Sequence, residues 1–399
     1  MCIKRLILAL SPSLIISYIF IENIVLLLPI TKVLQFSYII TVILMIIPPI
    51  SGFFQPFIGY FSDTIQCNFG KRKPFIIIGE FGILIGLIIR LFMFICNCSI
   101  KIDKILFITS TILINISLQF IQAPLRFLIC DLLPKEEHIK GNLIFMLIQS
   151  IGSIFYSSIS IILMLIPEGK YLRIDIIISS IGILIIIICL VLSFIFSVED
   201  YQDNSKYNLI SFENIIHVFK TILKELLLNM VKIILSWASY YGFLFNLTTD
   251  YEKLYIKDQN INQGIIKGML ILTFHNTIIL IFSLLNNIIF NNFGYKYPFA
   301  ISQLIYGIIL IISHLFKKEW LLILFFSILG IAPAMFNSIP YSNISKLVPD
   351  EYQGLITGVL NIFVIIGQII SQITISLLER NIRILSIYAF LNFVFIFMF

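Results

Sequence analysis

Asn68-Phe69-Gly70-Lys71-Arg72-Lys73-Pro74-Phe75 returns as Asn292-Phe293-Gly294-Tyr295-Lys296-Tyr297-Pro298-Phe299, and each copy lies between two long apolar runs. A second pair of connectors matches as well: Leu132-Leu133-Pro134-Lys135-Glu136 and Leu347-Val348-Pro349-Asp350-Glu351. The first pair is displaced by 224 positions (68 to 292) and the second by 215 (134 to 349). Two echoes at nearly one spacing describe a duplicated unit whose halves share one orientation. In a membrane chain, parallel repeats of this kind build a solute pathway where the halves meet.

The chain is apolar enough for that reading. Of 399 residues, 59% are hydrophobic and 12% charged, with a mean hydropathy of +1.03, a balance that leaves too little polar surface for a soluble domain. A helix needs roughly 20 apolar residues to cross about 30 Å of hydrocarbon. That rule predicts an all-α polytopic protein of about twelve spans, near 6–29, 34–61, 75–96, 105–133, 142–166, 174–197, 227–249, 264–290, 295–316, 320–347, 353–378 and 383–399. The organisation follows: a six-helix bundle over 1–197, a linker over 198–226, and a second bundle over 227–399. The linker alternates charge with Ile215, Ile216, Phe219, Ile222 and Leu223, a spacing that predicts a short amphipathic helix on the membrane face.

The positive-inside rule puts Lys71, Arg72 and Lys73 in the cytosol, and with them both termini, in the plasma membrane or an endomembrane. The net charge of +6 comes partly from such loops, not from a basic domain that would hold nucleic acid. The six cysteines show no zinc or disulfide spacing. Nucleotide-binding loops, metal clusters and nucleophile–base pairs are absent from the sequence, which argues against an enzyme and against an ATP-driven pump. No cofactor is expected, and a monomer in lipid is.

Ionisable groups inside a span cost about 3 kcal/mol at its centre, so each needs a reason. Glu22, Arg90, Arg126 and Asp131 stand out. Arg126 and Asp131 are five residues apart, about 140° round a helix, so each should meet a partner on another element. Two roles are open to Asp131: a proton carrier, or a latch onto the Lys71–Lys73 loop. Glu22 would bind a solute hydroxyl or neutralise Arg126, and Arg90 would snorkel to the interface. Neutral polar groups form the other signal: Asn23, Gln55, Gln119, Gln122, His275, Asn276, Asn361 and Gln368. With Trp237, Tyr240 and Tyr241 they have the chemistry of a sugar site, amides for hydroxyls and a ring for the apolar face. Asp63 and the Gly70–Lys73 turn read as a conformational latch, with Asp63 facing the positive end of a neighbouring helix.

The stretch Pro49 to Asp63 followed by Gly70-Lys71-Arg72-Lys73-Pro74-Phe75 resembles the sucrose–proton symporters, of the glycoside–pentoside–hexuronide group of the major facilitator superfamily. Gln122-Ala123-Pro124-Leu125-Arg126 with Asp131-Leu132, Ser338-Ile339-Pro340-Tyr341, and Gln353-Gly354-Leu355 with Asn361 and Gln368 resemble further spans of that family. The resemblance implies a proton-coupled carrier of a neutral, sucrose-like sugar, with the coupling proton on Asp131 beside Arg126. The sodium-using relatives carry acids where Gln55 and Gln122 stand, so it implies a proton as the coupling ion. This sequence departs from the family in span one, where Glu22-Asn23 replaces an aromatic-glutamine pattern, and in span five, which lacks an arginine. A uniporter, an organic-ion or drug carrier, and a transport-dead receptor are the alternatives.

Overall fold

The computed structural model describes residues 3–64, 70–96, 98–165, 171–196, 212–255, 261–315, 318–349, 352–378 and 382–399. Within them the chain is helical and contains no strand. The helices of the first half are α1 (Ile3–Ala9), α2 (Ser13–Val33), α3 (Tyr38–Ser51), α4 (Gln55–Thr64), α5 (Lys73–Cys96), α6 (Ile100–Leu132), α7 (His138–Met164) and α8 (Tyr171–Phe196). The second half holds α9 (Phe212–Tyr255), α10 (Ile261–Phe293), α11 (Lys296–Ile312), α12 (Glu319–Ile328), α13 (Ile331–Phe336), α14 (Ile339–Leu347), α15 (Gln353–Leu377) and α16 (Leu385–Met398). All twelve segments expected from hydropathy fall on helix. Eight helical stretches among the described residues are long and apolar enough to cross a bilayer, and three shorter apolar helices join them.

Three spans are broken, each for a local reason. Pro12 separates α1 from α2, because proline has no N–H for the ladder. Pro48 and Pro49, near the end of α3, precede the 3-10 turn Gly52–Phe54 that separates α3 from α4. Gly330 and the Asn337–Ser338 turn divide the tenth span into α12, α13 and α14. Elsewhere small residues set the packing. Gly79, Gly82 and Gly86 on α5 face Ser117, Ile121 and Ile114 of α6, where an added Cβ would overlap Ser117 and both isoleucines. Exposed Ile78, Phe81, Ile85, Ile88 and Phe92 cover the other side of α5, as a lipid-facing surface requires.

The described residues of the first echo turn alike. Gly70 (φ 94°) and Gly294 (φ 70°) both take the left-handed conformation, which side chains disfavour, and a helix opens two or three residues later in each copy. We call the side of the molecule that carries both turns the loop face.

The linker expectation needs correcting. Residues 198–211 lie outside the described residues, but from Phe212 onward the chain is already α9, continuous with span seven. Val218, Ile222 and Leu226 recur every fourth residue and pack on Tyr341, Ile344, Val348, Tyr352, Ile356 and Leu360. This stripe packs on the second bundle, while Ile216 and Leu223 of the expected stripe stay exposed, and the helix of that bundle is already formed at 212 instead of 227.

Candidate functional site

A central cavity with about 150 Å³ of water-accessible space lies between the two halves. From the first half, α2 offers Ser17 and Asn23, α4 offers Gln55, α6 offers Asn115, Gln119, Gln122 and Arg126, and α7 offers Gln149. From the second half come Trp237, Tyr240 and Tyr241 of α9, Asn276 of α10, Asn337 and Tyr341 around α14, and Asn361 and Gln368 of α15. Asn23, Gln55, Gln122, Arg126, Trp237, Tyr240, Asn276 and Asn361, expected at a binding site, thus line one space. Glu22, expected with them, does not line it.

The polar wall is organised along α6. Asn115 and Gln119 are one turn apart, so their side chains share a face. Asn23 Nδ2 donates to Asn115 Oδ1 at 2.9 Å, Gln119 Nε2 donates to Ser51 Oγ at 2.8 Å, and Gln55 Nε2 donates to Gln119 Oε1. Opposite stands an aromatic wall: the Trp237 ring meets Tyr240 and Phe336 edge-on at centroid distances of 5.7 and 5.5 Å. Several buried atoms of this lining have no protein partner: Gln55 Oε1, Arg126 Nε, Trp237 Nε1 and Asn361 Nδ2. Buried polar atoms left unpaired cost about 1–3 kcal/mol each, so this wall has hydrogen-bonding capacity to spare for a solute.

Arg126 forms the floor. It is 7% exposed and is the one ionisable side chain of charge at neutral pH among the described lining residues. Its guanidinium lies 4.1 Å from the centroid of the Tyr341 ring and 5.2 Å from that of Phe145, and Nη1 donates to the Asn337 carbonyl at 3.4 Å. Among the described residues no carboxylate pairs with it. Tyr341 in turn donates to Asn361 Oδ1 at 2.5 Å. The Arg126–Tyr341 contact joins the two halves across the bottom of the cavity.

Below this floor, on the loop face, sits an ion cluster. Arg72 is 1% exposed; its Nη2 meets Asp63 Oδ1 at 2.6 Å and its Nε meets Asp131 Oδ2 at 2.7 Å, while Nη1 donates to Ser62 Oγ at 2.6 Å. Burial by itself would lower the Arg72 pKa, but the charges of Asp131 and Asp63 outweigh it and hold the group above the ordinary guanidinium value. Asp63 also accepts from the backbone N–H of Leu355 at 3.1 Å, in the first turn of α15. A carboxylate from one half thereby caps a helix of the other, where the helix dipole favours negative charge. The approach is so close that a Cβ on Gly59 would overlap the Gly354 backbone. Asn142 Nδ2 to Ser342 Oγ at 3.3 Å and His138 Nδ1 with Ser345 Oγ at 2.9 Å add two more contacts across the halves. The loop face is closed.

Lys71 and Lys73 divide from Arg72. Lys73 Nζ donates to the Phe194 carbonyl at 2.5 Å, at the C-terminal end of α8, and Lys71 takes no part in the two ion pairs of Arg72. Arg90 corrects the snorkelling expectation: it is 3% exposed and its Nη1 meets Glu22 Oε1 at 2.7 Å, with Thr111 Oγ1 accepting from Nη2 at 3.1 Å. With Ser110 Oγ accepting from Nε at 3.5 Å, three polar partners inside the bundle satisfy it better than lipid headgroups would, and Glu22 serves Arg90 rather than Arg126. Sequence reasoning overlooked Glu80, which is fully buried on α5. The signal was present, since a carboxylate inside an apolar span is as conspicuous there as Glu22 is in span one.

The family model for the Major Facilitator Superfamily matches residues 10–372. The chain belongs to the major facilitator superfamily. It is a multi-pass membrane transporter of that fold. Among curated proteins it is similar to the sucrose transport protein SUC3 of Arabidopsis thaliana, 29% identical over 144 residues, covering 32% of this chain and 24% of that protein. Among solved structures it resembles the human organic anion transporter MFSD10 (TETRAN), with a TM-score of 0.72 at 12% identity, over 99% of this chain and 100% of that one. A bacterial homologue of the iron transporter ferroportin, in an outward-facing state, gives a TM-score of 0.71 at 13% identity over 99% and 98%. At such identities the structural likeness concerns the superfamily fold.

Proposed function

We propose that this transporter carries a neutral, sucrose-like sugar by alternating access, coupled to a proton. The observation that carries the reading is the cavity wall of amides faced by Trp237, with unpaired atoms on Gln55, Asn361 and Trp237 itself. Neutral donors and acceptors suit hydroxyl groups, and an indole face suits the C–H face of a pyranose. The partial likeness to a sucrose transport protein points the same way.

In this reading Asp131 is carrier and latch at once. Protonating it removes one of the two carboxylates on Arg72 and so unties the ion cluster from α6, opening the loop face. With the loop face taken as cytosolic, solute and proton leave through that opening. The test is uptake of tritiated sucrose into proteoliposomes under an imposed pH gradient, with Asp131→Asn beside the wild type. Gradient-driven uptake that Asp131→Asn uncouples supports the proposal. Uptake indifferent to both gradient and substitution removes the coupling.

One observation favours a second reading. Arg126 leaves the described cavity wall with a single positive charge and no acid, which suits an organic anion. Competition by aliphatic carboxylates but not by sugars would assign the chain to that class.

A further inference from the structure

Glu80 lies outside both the cavity and the latch, and no function assigned above uses it. It is 0% exposed, pairs with no cation among the described residues, and accepts one hydrogen bond, from Ser193 Oγ to Oε1 at 2.9 Å. Its other oxygen, Oε2, has no partner. Cys189, one turn before Ser193 on the same face of α8, donates to the Ser11 carbonyl at 3.6 Å. Ser11 sits in the break between α1 and α2, and its buried hydroxyl is unpartnered, as is that of Ser13.

A lone buried carboxylate with one unfilled oxygen therefore lies on the same face of α8 as an interrupted helix, whose C-terminal end carries partial negative charge. Discontinuous membrane helices commonly bind small cations in this way. We infer that Glu80, with Ser193 and the Leu10–Pro12 break, forms a site for one small monovalent cation, Na⁺ or a proton. This site is separate from the Arg72 latch and independent of which solute the cavity takes.

The experiment uses the purified full chain in detergent and needs no solute. Binding of ²²Na⁺ is measured with unlabelled Na⁺ or choline as competitor, and the carboxyl infrared band is followed between pH 5 and 9. Glu80→Gln keeps the shape and the acceptor for Ser193; Ser11→Ala keeps the carboxylate. Saturable ²²Na⁺ binding, weakened at least tenfold by Glu80→Gln and severalfold by Ser11→Ala, assigns Na⁺. Without such binding, a carboxyl band that titrates in this range and vanishes in Glu80→Gln assigns the proton. No binding together with a band constant across the range makes Glu80 a permanently neutral structural group and overturns the inference. None of these readouts depends on sugar transport, so failure of the sugar proposal would leave them standing.

Discussion

The two loop-face corners of the molecule carry the same sequence echo, yet they are held by different forces. In the first half, Arg72 binds Asp63 and Asp131. The displacements of the two echoes place Lys296 opposite Arg72, Asn287 opposite Asp63, and Lys346 opposite Asp131. The second corner thus has two cations and no acid at those positions, and Lys346 rests over the Tyr295 ring at 5.6 Å instead. Both copies keep the left-handed glycine and the proline that shape the turn. The glycine turn is common to both corners and the charges are not: one holds a buried ion cluster, the other a cation over a ring. The same displacement pairs Arg126 with Tyr341, and these two stack on each other across the interface.

That contrast orders the expected effects of substitution. The largest belongs to Arg72→Ala, which strands two carboxylates, one of them deeply buried; breaking such a pair costs about 3–5 kcal/mol. Thermal unfolding in detergent should drop sharply and uptake should vanish, whereas full activity in Arg72→Ala would deny the latch. Arg72→Lys should rescue only part, since an ammonium cannot form the fork that spans both acids.

Next comes Gly59→Ala, whose methyl group meets the Gly354 backbone. Overpacking of this kind costs about 1–3 kcal/mol, here charged to the closed state alone. Cysteines placed at Ser62 and Leu355 should then cross-link more slowly, with stability nearly intact. Unchanged cross-linking would place the closure elsewhere.

Smaller still is the floor. Replacing Tyr341 by Leu removes the ring under Arg126, about 1–2 kcal/mol for a desolvated cation–π contact, while Tyr341→Phe loses only the bond to Asn361, about 1 kcal/mol. Solute affinity measured by equilibrium binding should follow that order. Least of all is Lys346→Ala in the second corner, expected at about 0.5–1 kcal/mol. A loss there as large as in Arg72→Ala would mean that the two corners are equivalent after all.

Much of this was legible beforehand, and the misses share a cause. Hydropathy located every span because a helix in hydrocarbon must satisfy its own backbone, a constraint local to the segment. The neutral polar set could be read as a cavity because amides within apolar spans have few other uses. Glu22 and Arg90 were conspicuous too, yet their pairing was not, because the two residues lie on spans far apart in sequence. A helix was expected in the linker, but its packed stripe is Val218, Ile222 and Leu226, and of the residues expected to lie on the membrane Ile216 and Leu223 stay exposed, since periodicity does not say which apolar face meets a neighbouring bundle.

What the amino-acid order determined alone is therefore whatever depends on composition along one helix: the number of spans, the duplication, the turns at Gly70 and Gly294, and the cost of each charge in lipid. Which charges meet was decided only when the helices packed. Arg72 reaches Asp63 and Asp131, Glu80 meets Ser193, and Arg126 faces a tyrosine with no acid beside it, because Coulomb and hydrogen-bond energies depend on distances of a few ångströms between segments that the linear order leaves free.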